Sequence, residues 1–290
     1  MRSPKASKAA KLKTNSSSAG RDSVELKKAH GLVKRHLPSG STESRPTKAK
    51  PSGHKRPAHI APHERSRPFV AATFAMTVDG KITTRTFSPV DFTSREDKLH
   101  LLRQRALGDA VLIGRSTLAH DNVRLGLPDP AMRAEREARG QAPWPIRVIV
   151  SNEGRIDPAL KIFQTDFSRV VIFSTTRMPR KYQVALREKA TLRLSTTPSV
   201  DLRRMLQVLR SEYDVRWVAC EGGAELFRSL LELQSVDRLN LTISPYIFGG
   251  KSAPTLTGRG SSFLPSSVRC SLVQMRIIGQ ECFAEYRLKY

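Results

Sequence analysis

The chain is poor in cysteine and has no long apolar run. Its 290 residues include 3 cysteines, none of them in a CxxC pair, which argues against a disulfide framework and fits a reducing compartment. No apolar stretch approaches the roughly 18–20 residues that cross a membrane. The amino terminus is basic but lacks an apolar core, so we expect no secretory signal peptide. These absences predict a cytoplasmic protein, with import into an organelle through the basic amino terminus as the alternative.

Several catalytic and cofactor motifs are also missing. Without GxGxxG, the sequence does not support a Rossmann dinucleotide site. A zinc deaminase requires P-C-x-x-C in addition to H-x-E, and the chain has no P-C-x-x-C. No Ser/His/Asp set has support from its local context. We therefore expect neither a metal site nor a nucleophile of the hydrolase type.

Positive charge is concentrated near the amino terminus. Residues 1–67 contain 17 of the 50 Lys and Arg residues but 4 of the 26 Asp and Glu residues. The segment is rich in Ser, Pro, Ala and Gly and poor in aromatic residues, so it buries too little apolar surface to offset its ordering entropy. We predict a disordered basic arm over 1–67, with a weak amphipathic helix at 24–37. Such an arm would bind nucleic acid only non-specifically, through counterion release, because it has no interleaved aromatic residues for stacking.

Residues 68–290 have the pattern of one α/β domain. Short β-branched apolar runs alternate with helical stretches, and the carboxyl-terminal end predicts a hairpin over 271–278 and 282–288. We therefore predict a mostly parallel mixed sheet with helices on both faces and an antiparallel edge at the carboxyl terminus. A helix capped by Thr93 or Ser94 is expected to end near Leu107 and to bury Leu99, Leu102, Ala106 and Leu107. Residues 121–145 are polar and contain several prolines, which predicts an insertion or lid with one exposed helix.

Four predicted strands end in residues that can hold a phosphate. One strand ends at Gly114-Arg115-Ser116-Thr117, another leads into Glu221-Gly222-Gly223-Ala224 at the start of a helix, Ser151 follows a third, and Ser174-Thr175-Thr176-Arg177 follows a fourth. A guanidinium and hydroxyl groups suit a phosphate, and paired glycines let the backbone approach a pyrophosphate at a helix amino terminus. The alternative is a surface arginine, a helix cap and a glycine pair that only shapes a tight turn. Together the strand ends favour a phosphate-bearing cofactor, with Asp121 and Asn122 left for a second ligand.

Several segments, in a fixed order, resemble one known family. They are Met76-Thr77-Val78-Asp79-Gly80-Lys81-Ile82, Phe92-Thr93-Ser94, Leu101-Leu102-Arg103, 109–117, Asp121-Asn122, Glu221-Gly222-Gly223, Val236-Asp237-Arg238-Leu239, Pro245 and Gly249-Gly250. Over about residues 68–290 the chain resembles the pyrimidine reductase family of riboflavin biosynthesis, the carboxy-terminal domain of the bifunctional deaminase-reductase. More widely it is similar to the three-layer dihydrofolate reductase fold. The resemblance implies a homodimeric, NADPH-dependent reductase of 5-amino-6-(5-phosphoribosylamino)uracil or its close diaminopyrimidine analogue.

The resemblance also implies a role for individual residues. The residues implied for the cofactor are Gly114, Arg115, Thr117, Ser151, Glu221, Gly222, Gly223 and Ala224. Arg115 matches the arginine that dihydrofolate reductases place near the 2′-phosphate, which would favour NADPH over NADH. The residues implied for the substrate are Asp79, Thr93, Arg103, Asn122 and Leu125. Lys81 and Asp121 are the first candidates for proton delivery, since the cofactor supplies hydride and the protein mainly positions the reactants.

The chain departs from the family pattern in the substrate half. Val123 stands where a proline is usual, and Pro128 stands near the position of an expected arginine. The identity of the substrate therefore stays open from the sequence, and reduction of another pteridine or imine is an alternative. A non-enzymatic alternative makes the domain a scaffold for the basic arm, which would dock nucleic acid or an anionic membrane.

Overall fold

A mixed sheet of nine strands, with six α-helices around it, forms the part of the protein that the computed structural model describes: residues 66–83, 92–259 and 262–290. The elements are, in chain order, β1 (Phe69–Thr77), α1 (Arg95–Leu107), β2 (Ala110–Gly114), α2 (Arg115–Asp121), α3 (Pro130–Ala138), β3 (Ile146–Val150), β4 (Val170–Thr175), α4 (Arg180–Arg187), β5 (Thr191–Ser195), α5 (Leu202–Tyr213), β6 (Trp217–Cys220), α6 (Ala224–Glu232), β7 (Arg238–Ser244), β8 (Arg269–Ile278) and β9 (Glu281–Lys289). A short 3₁₀ helix covers Lys161–Phe163. The described helices are all too short or too polar to cross a bilayer.

The sheet is parallel in its centre and antiparallel at one edge. Its strand order is β5-β4-β3-β2-β6-β1-β7-β9-β8. β1 pairs in parallel with both β6 and β7, and β2 pairs in parallel with β3 and β6. The last two strands form an antiparallel hairpin, of which β9 pairs with β7 and β8 lies at the edge. The predicted fold class, with its antiparallel carboxyl-terminal edge, is confirmed.

Helices cover both faces of the sheet, as the alternate residues of β2 show. Ala110 and Leu112 belong to a core cluster that also contains residues of α5 and α6, whereas Val111 and Ile113 pack with residues of α2 and α4. Successive side chains of a strand point to opposite faces, so the two clusters are the two layers on either side of the sheet. The predicted three-layer arrangement follows from this alternation.

α1 begins where the sequence predicts, but the face that it buries differs in part from the predicted one. Ser94 caps the helix by accepting hydrogen bonds from the first turn. Its buried residues include His100 and Gln104, whereas Leu99 and Leu102 are only partly buried. The sheet beneath α1 is polar at this point, because the Asn240 amide on β7 donates to Gln104 Oε1 at 3.1 Å. A buried polar group needs a hydrogen-bonding partner, so the helix turns polar residues inward here. The predicted burial of Ala106 and Leu107 is confirmed, whereas that of Leu99 and Leu102 is wrong.

The segment 121–145 contains the predicted helix, α3, which is mostly exposed but is anchored to the domain by two buried side chains. α3 buries Met132 and Arg136. The Arg136 guanidinium, 1% exposed, donates to the carbonyl oxygens of Ala106 and Gly108 at the end of α1. The last carbonyls of a helix have no partner within it, and here an arginine supplies the missing donors. Arg136, although charged, therefore makes its hydrogen bonds in the interior of the protein.

Two elements of the fold are absent from the sequence prediction, and one predicted helix lies where the structure gives no description. The sequence analysis does not predict α2, which starts directly after β2 without a side-chain cap, or the part-exposed strand β5. The helix predicted at 24–37 lies outside the described residues. The basic arm and its boundary with the domain stay predictions.

Candidate functional site

A cleft opens where β6 stops short between its two neighbours. β6 pairs with β1 as far as Cys220, opposite Ala72, and with β2 as far as Leu112. β1 and β2 both continue beyond this point, so a gap separates them at the carboxyl edge of the sheet. The cleft there has a volume of about 1470 Å³. In open parallel sheets this edge is where ligands bind.

The free edge of β1 offers backbone groups to a ligand. The Phe69 N–H donates toward the β6 side, to the carbonyl of Arg216. Alternate residues of a parallel strand point their backbone groups to the same neighbour, so Thr73 and Ala75 direct theirs to this side, beyond the end of β6. Both residues line the cleft. A planar ligand with an amide edge could therefore extend the sheet here.

The turn after β6 lies against the start of α2. The Gly114 N–H donates to the Gly222 carbonyl at 2.9 Å, and Gly222 has a φ of 120°, a conformation that favours glycine. A Cβ atom on Gly223 would lie 2.5 Å from Thr117 Oγ1. The turn therefore has no room for a side chain at Gly223, and its backbone forms the floor of the cleft.

The structure brings the whole predicted cofactor set together. All of these residues line the cleft: Gly114, Arg115, Thr117, Ser151, Glu221, Gly222, Gly223 and Ala224. Arg115 is exposed at the rim. Ser151 is buried, and its Oγ accepts the Gly154 N–H at 2.9 Å. The cofactor role of the set stays a prediction, but its members occupy one continuous surface.

The Glu221 carboxylate is occupied by an arginine that sequence reasoning missed. Arg105 Nε and NH2 donate to the two Glu221 oxygens at 2.7 and 2.6 Å, and Arg105 NH1 donates to the Gly126 carbonyl. The side chains are 10% and 6% exposed. The Glu221 carboxylate raises the pKa of Arg105 against the opposing effect of burial. The pair fixes the base of the glycine turn, so the carboxylate of Glu221 positions the turn and leaves ligand contacts to the backbone.

The predicted substrate and proton-transfer residues are divided between the cleft and other places. Thr93 and Asp121 line the cleft. The remaining predicted residues are not among its lining residues: Asp79, Lys81, Arg103, Asn122 and Leu125. Partial desolvation raises the pKa of the Asp121 carboxyl, and the neighbouring His120 opposes this shift. Asp121 is thus the candidate proton donor that the geometry keeps in the cleft.

Asp79 and Lys81 organise the backbone beside the cleft. The Asp79 carboxylate accepts the N–H groups of Phe248 and Gly249 at 3.2 and 2.7 Å and the Thr77 hydroxyl at 2.5 Å. These hydrogen bonds lower its pKa. The Lys81 backbone bonds back to Thr77 and forms a bridge with Thr255. Both residues shape the loops around the site without lining it.

The other three residues have separate surroundings. Asn122 caps α2 with a φ of 45°, and its Oδ1 accepts the Lys161 N–H at 2.8 Å. Leu125 is 2% exposed and belongs to a hydrophobic cluster. Arg103 is exposed on α1. Their roles in binding a substrate stay predictions of the resemblance.

Two parts of the cleft are absent from the sequence prediction. Asp97 lines the wall formed by the first turn of α1. Thr197, Ser199 and Asp201 line another wall, in the segment between β5 and α5, which is tied to the end of β3 by a 2.9 Å hydrogen bond from the Val200 N–H to Asn152 Oδ1. No motif marks either part, since an aspartate in a first helical turn has the appearance of a surface residue. Within the described residues, no cluster of three or more His, Cys, Asp or Glu side chains could hold a metal ion.

Comparisons with known proteins agree with this geometry. Residues 68–283 match the family model of the RibD C-terminal domain. The 2,5-diamino-6-ribosylamino-4(3H)-pyrimidinone 5′-phosphate reductase of Methanothermobacter thermautotrophicus is 30% identical over 226 residues, 77% of this chain and 99% of the relative. The Archaeoglobus fulgidus reductase of the same name is 28% identical over 74% of this chain and 95% of its own. A solved pyrimidine reductase-like protein from Corynebacterium diphtheriae has the same fold, with a TM-score of 0.67 and 20% identity over 77% of this chain and 92% of that one.

The matched segment contains β1, the glycine turn and the four helices that contribute residues to the cleft, α1, α2, α5 and α6. It therefore covers every residue of the predicted cofactor set and the whole parallel part of the sheet. The chain belongs to the RibD C-terminal domain family and is an oxidoreductase of that family, as the sequence predicts.

Proposed function

We propose that this protein uses NADPH to reduce a ribosylaminopyrimidine phosphate to its ribityl product in riboflavin biosynthesis. The observation that carries the proposal is the glycine turn packed against the start of α2, on the floor of a cleft at the carboxyl edge of the sheet. The names of the curated relatives support 2,5-diamino-6-ribosylamino-4(3H)-pyrimidinone 5′-phosphate as the substrate. The deaminated analogue, 5-amino-6-(5-phosphoribosylamino)uracil, is the second form to be tested.

The cleft residues fit a nicotinamide dinucleotide phosphate. Gly222 and Gly223 line the cleft without side chains, so a pyrophosphate could approach their backbone next to the amino terminus of α6, which has no side-chain cap. Arg115, exposed at the rim, is the cation that would hold a 2′-phosphate. NADPH, when bound, supplies the hydride. If NADPH binds at the glycine turn, the substrate would bind toward β1, Thr93 and Asp121.

Proton delivery is proposed for Asp121. A carboxyl whose pKa is raised holds its proton to a higher pH than an exposed aspartate does. It lies in the same cleft as Thr93, so it is available to the ring oxygen or nitrogen that gains a proton when the ribosylamino ring opens. Contributions from Lys81, Asp79, Arg103, Asn122 and Leu125 remain proposals, as does location in the cytoplasm.

Replacement of Arg115 by alanine is expected to weaken NADPH binding by about 10- to 100-fold, the value of a charge-assisted hydrogen bond. The dissociation constant for NADH should stay unchanged, because NADH has no 2′-phosphate. Fluorescence titration with both cofactors measures the difference. Arg203→Ala, which removes an exposed arginine of α5 outside the cleft, is the matched control. Equal loss of affinity for NADPH and NADH would contradict the role of Arg115.

Turnover tests the substrate separately from the cofactor. Wild-type protein should oxidise NADPH when the ribosylaminopyrimidine phosphate is added and should leave NADPH unchanged without it. Tight NADPH binding with no turnover of either the diamino or the uracil form would refute the proposed substrate and leave the cofactor site intact.

The outer face of β8 supports the proposed homodimer. Leu272, Met275 and Ile277 are 54%, 55% and 73% exposed. They pair with alternate residues of β9, so they share one face of the sheet. β8 is also an edge strand, whose free backbone groups invite pairing with another chain. A second copy would cover both the apolar face and the edge.

Introducing a charge on this face is expected to convert the dimer to a monomer. Ile277→Lys places an ammonium group in the centre of the apolar surface, where its desolvation opposes association. Light scattering after size-exclusion chromatography gives the mass directly. Val184→Lys is the matched control, since Val184 is 60% exposed on α4, away from the edge. A dimer that persists in Ile277→Lys at micromolar concentration would exclude this interface.

A further inference from the structure

The cleft has few cations for a site that is proposed to hold a dinucleotide phosphate. Of the described residues that line it, two are arginines, Arg115 and Arg259, and none is a lysine. The carboxylate of Glu225 lies in the first turn of α6, beside the position proposed for the pyrophosphate. Like charges repel each other, so a cation at this place would offset Glu225 when a phosphate binds. Because Arg115 is assigned to the 2′-phosphate, Arg259 is the candidate.

Arg259 belongs to a segment that connects the loop after β1 with the start of α6. We call residues 254–259 the strap. At its first residue, the Ile82 N–H donates to the Pro254 carbonyl at 3.2 Å, and at its last residue the Arg259 N–H donates to Glu225 Oε1 at 3.2 Å. Both end residues of the strap line the cleft. The strap is therefore held at both ends and forms part of the cleft wall.

The strap packs directly on the Glu225 carboxylate. Gly258 has a φ of 84°, a conformation that favours glycine, and a Cβ atom there would lie 2.2 Å from Glu225 Oε1. The backbone groups of Thr255 and Gly258 bond to each other in both directions, at 3.1 and 2.9 Å, and close a turn. Glu225 thus supports a closed turn, and this support fixes where the next residue, Arg259, leaves the backbone.

This support places Arg259 near the glycine turn. Glu225 is the second residue of α6, which begins at Ala224, directly after Gly222 and Gly223. The backbone of Arg259 is bonded to the side chain of that residue, and Arg259 lines the cleft and is exposed. An arginine in this position can donate two parallel hydrogen bonds to phosphate oxygens. The cation and the backbone of the turn would therefore contact the same group of a ligand.

We infer that the strap clamps the cofactor pyrophosphate: Arg259 binds the phosphate oxygens, and Glu225 positions Arg259. This inference rests on the proposed function. The Glu225 carboxylate has two opposing effects, because its charge repels the pyrophosphate while its hydrogen bond holds the strap. Positioning requires the acceptor oxygen and does not require the charge. NADPH and NADH both contain the pyrophosphate, so the clamp contributes equally to the two affinities, unlike Arg115.

Arg259→Ala tests the clamp, with dissociation constants for NADPH and NADH measured by fluorescence titration. Both affinities should fall by about 10- to 100-fold, the value of a charge-assisted hydrogen bond. Arg259→Lys keeps a positive charge but not the paired donors, so it should recover part of the loss. Lys251→Ala is the matched control, because it removes an exposed cation of the same loop that does not line the cleft. It should leave both affinities within twofold of wild type.

Glu225→Ala and Glu225→Gln together test the positioning role. The two variants remove the same charge, but only glutamine keeps a side-chain oxygen that accepts the Arg259 N–H. Glu225→Ala should therefore bind both dinucleotides about 3- to 10-fold more weakly than Glu225→Gln, the value of one hydrogen bond. If Glu225 only repelled the pyrophosphate, the two variants would have equal affinities, both higher than that of wild type. That result would overturn the positioning role.

A failed clamp and a failed cofactor site give different results. Unchanged affinities in Arg259→Ala would overturn the clamp, as would a loss confined to NADPH, which would assign Arg259 to the 2′-phosphate. In both cases wild type still binds NADPH, and the proposed function stands. Wild type that binds neither NADPH nor NADH would overturn the proposed function, and the clamp with it.

Discussion

Replacing Arg105 by leucine is expected to lower the free energy of unfolding by about 3–5 kcal/mol. The substitution leaves the Glu221 carboxylate, 6% exposed, without the two hydrogen bonds that now satisfy it. It also removes the donor to the Gly126 carbonyl. A buried charge that loses its partner retains the full free-energy cost of desolvation, and no attraction to an opposite charge offsets it. Urea denaturation followed by circular dichroism measures the change.

Two further variants separate the charge effect from lost packing. Arg103→Leu changes an exposed arginine two positions away on the same helix and should alter stability by less than about 0.5 kcal/mol. Arg105→Leu combined with Glu221→Leu should recover most of the loss, since replacing both members of a buried pair is often neutral. If the double variant is as unstable as Arg105→Leu alone, the pair is not the source of the effect.

The sequence predicts the strands and their ends well, because those signals are local. A β-branched apolar run marks β2, and the glycines after β6 mark a turn that lies within four residues of the strand. Parallel strands bring their carboxyl ends to one edge, so topology alone assembles Gly114, Ser151 and Gly222 in one cleft. The grouping of these residues in one cleft could therefore be predicted without any contact information.

The polar contacts across the domain could not be predicted in the same way. Arg105 and Glu221 are 116 positions apart, and neither is distinguishable by composition from an arginine or glutamate at the surface. The pKa of Asp97 is raised mainly by burial and further by the charge of Glu281, which comes from the far end of the chain. Asp79 matches a family motif, yet its carboxylate is occupied by backbone N–H groups of the loop at 248–249. A family motif indicates that a residue such as Asp79 lies near the site, whereas its hydrogen-bonding partners determine its role there.

Replacement of Gly223 by alanine is expected to weaken NADPH binding by about 10- to 100-fold, the consequence of overpacking by one methyl group. The added Cβ would lie 2.5 Å from Thr117 Oγ1, so the turn and α2 must move apart. Gly223 itself has a φ of −89°, which alanine adopts without strain, so the loss comes from the collision. Fluorescence titration with NADPH measures the change in affinity.

Removal of the colliding atom tests this explanation directly. Thr117→Ala deletes Oγ1 and should weaken NADPH binding less than Gly223→Ala does, because it removes one hydroxyl and leaves the turn in place. In the double variant, Gly223→Ala with Thr117→Ala, affinity should rise above that of Gly223→Ala alone, since the Cβ then has space. Such a rescue is a coupling between two residues in contact. Strictly additive losses would show that the glycine is needed for the cofactor's own approach to the backbone, and that the contact with α2 is incidental.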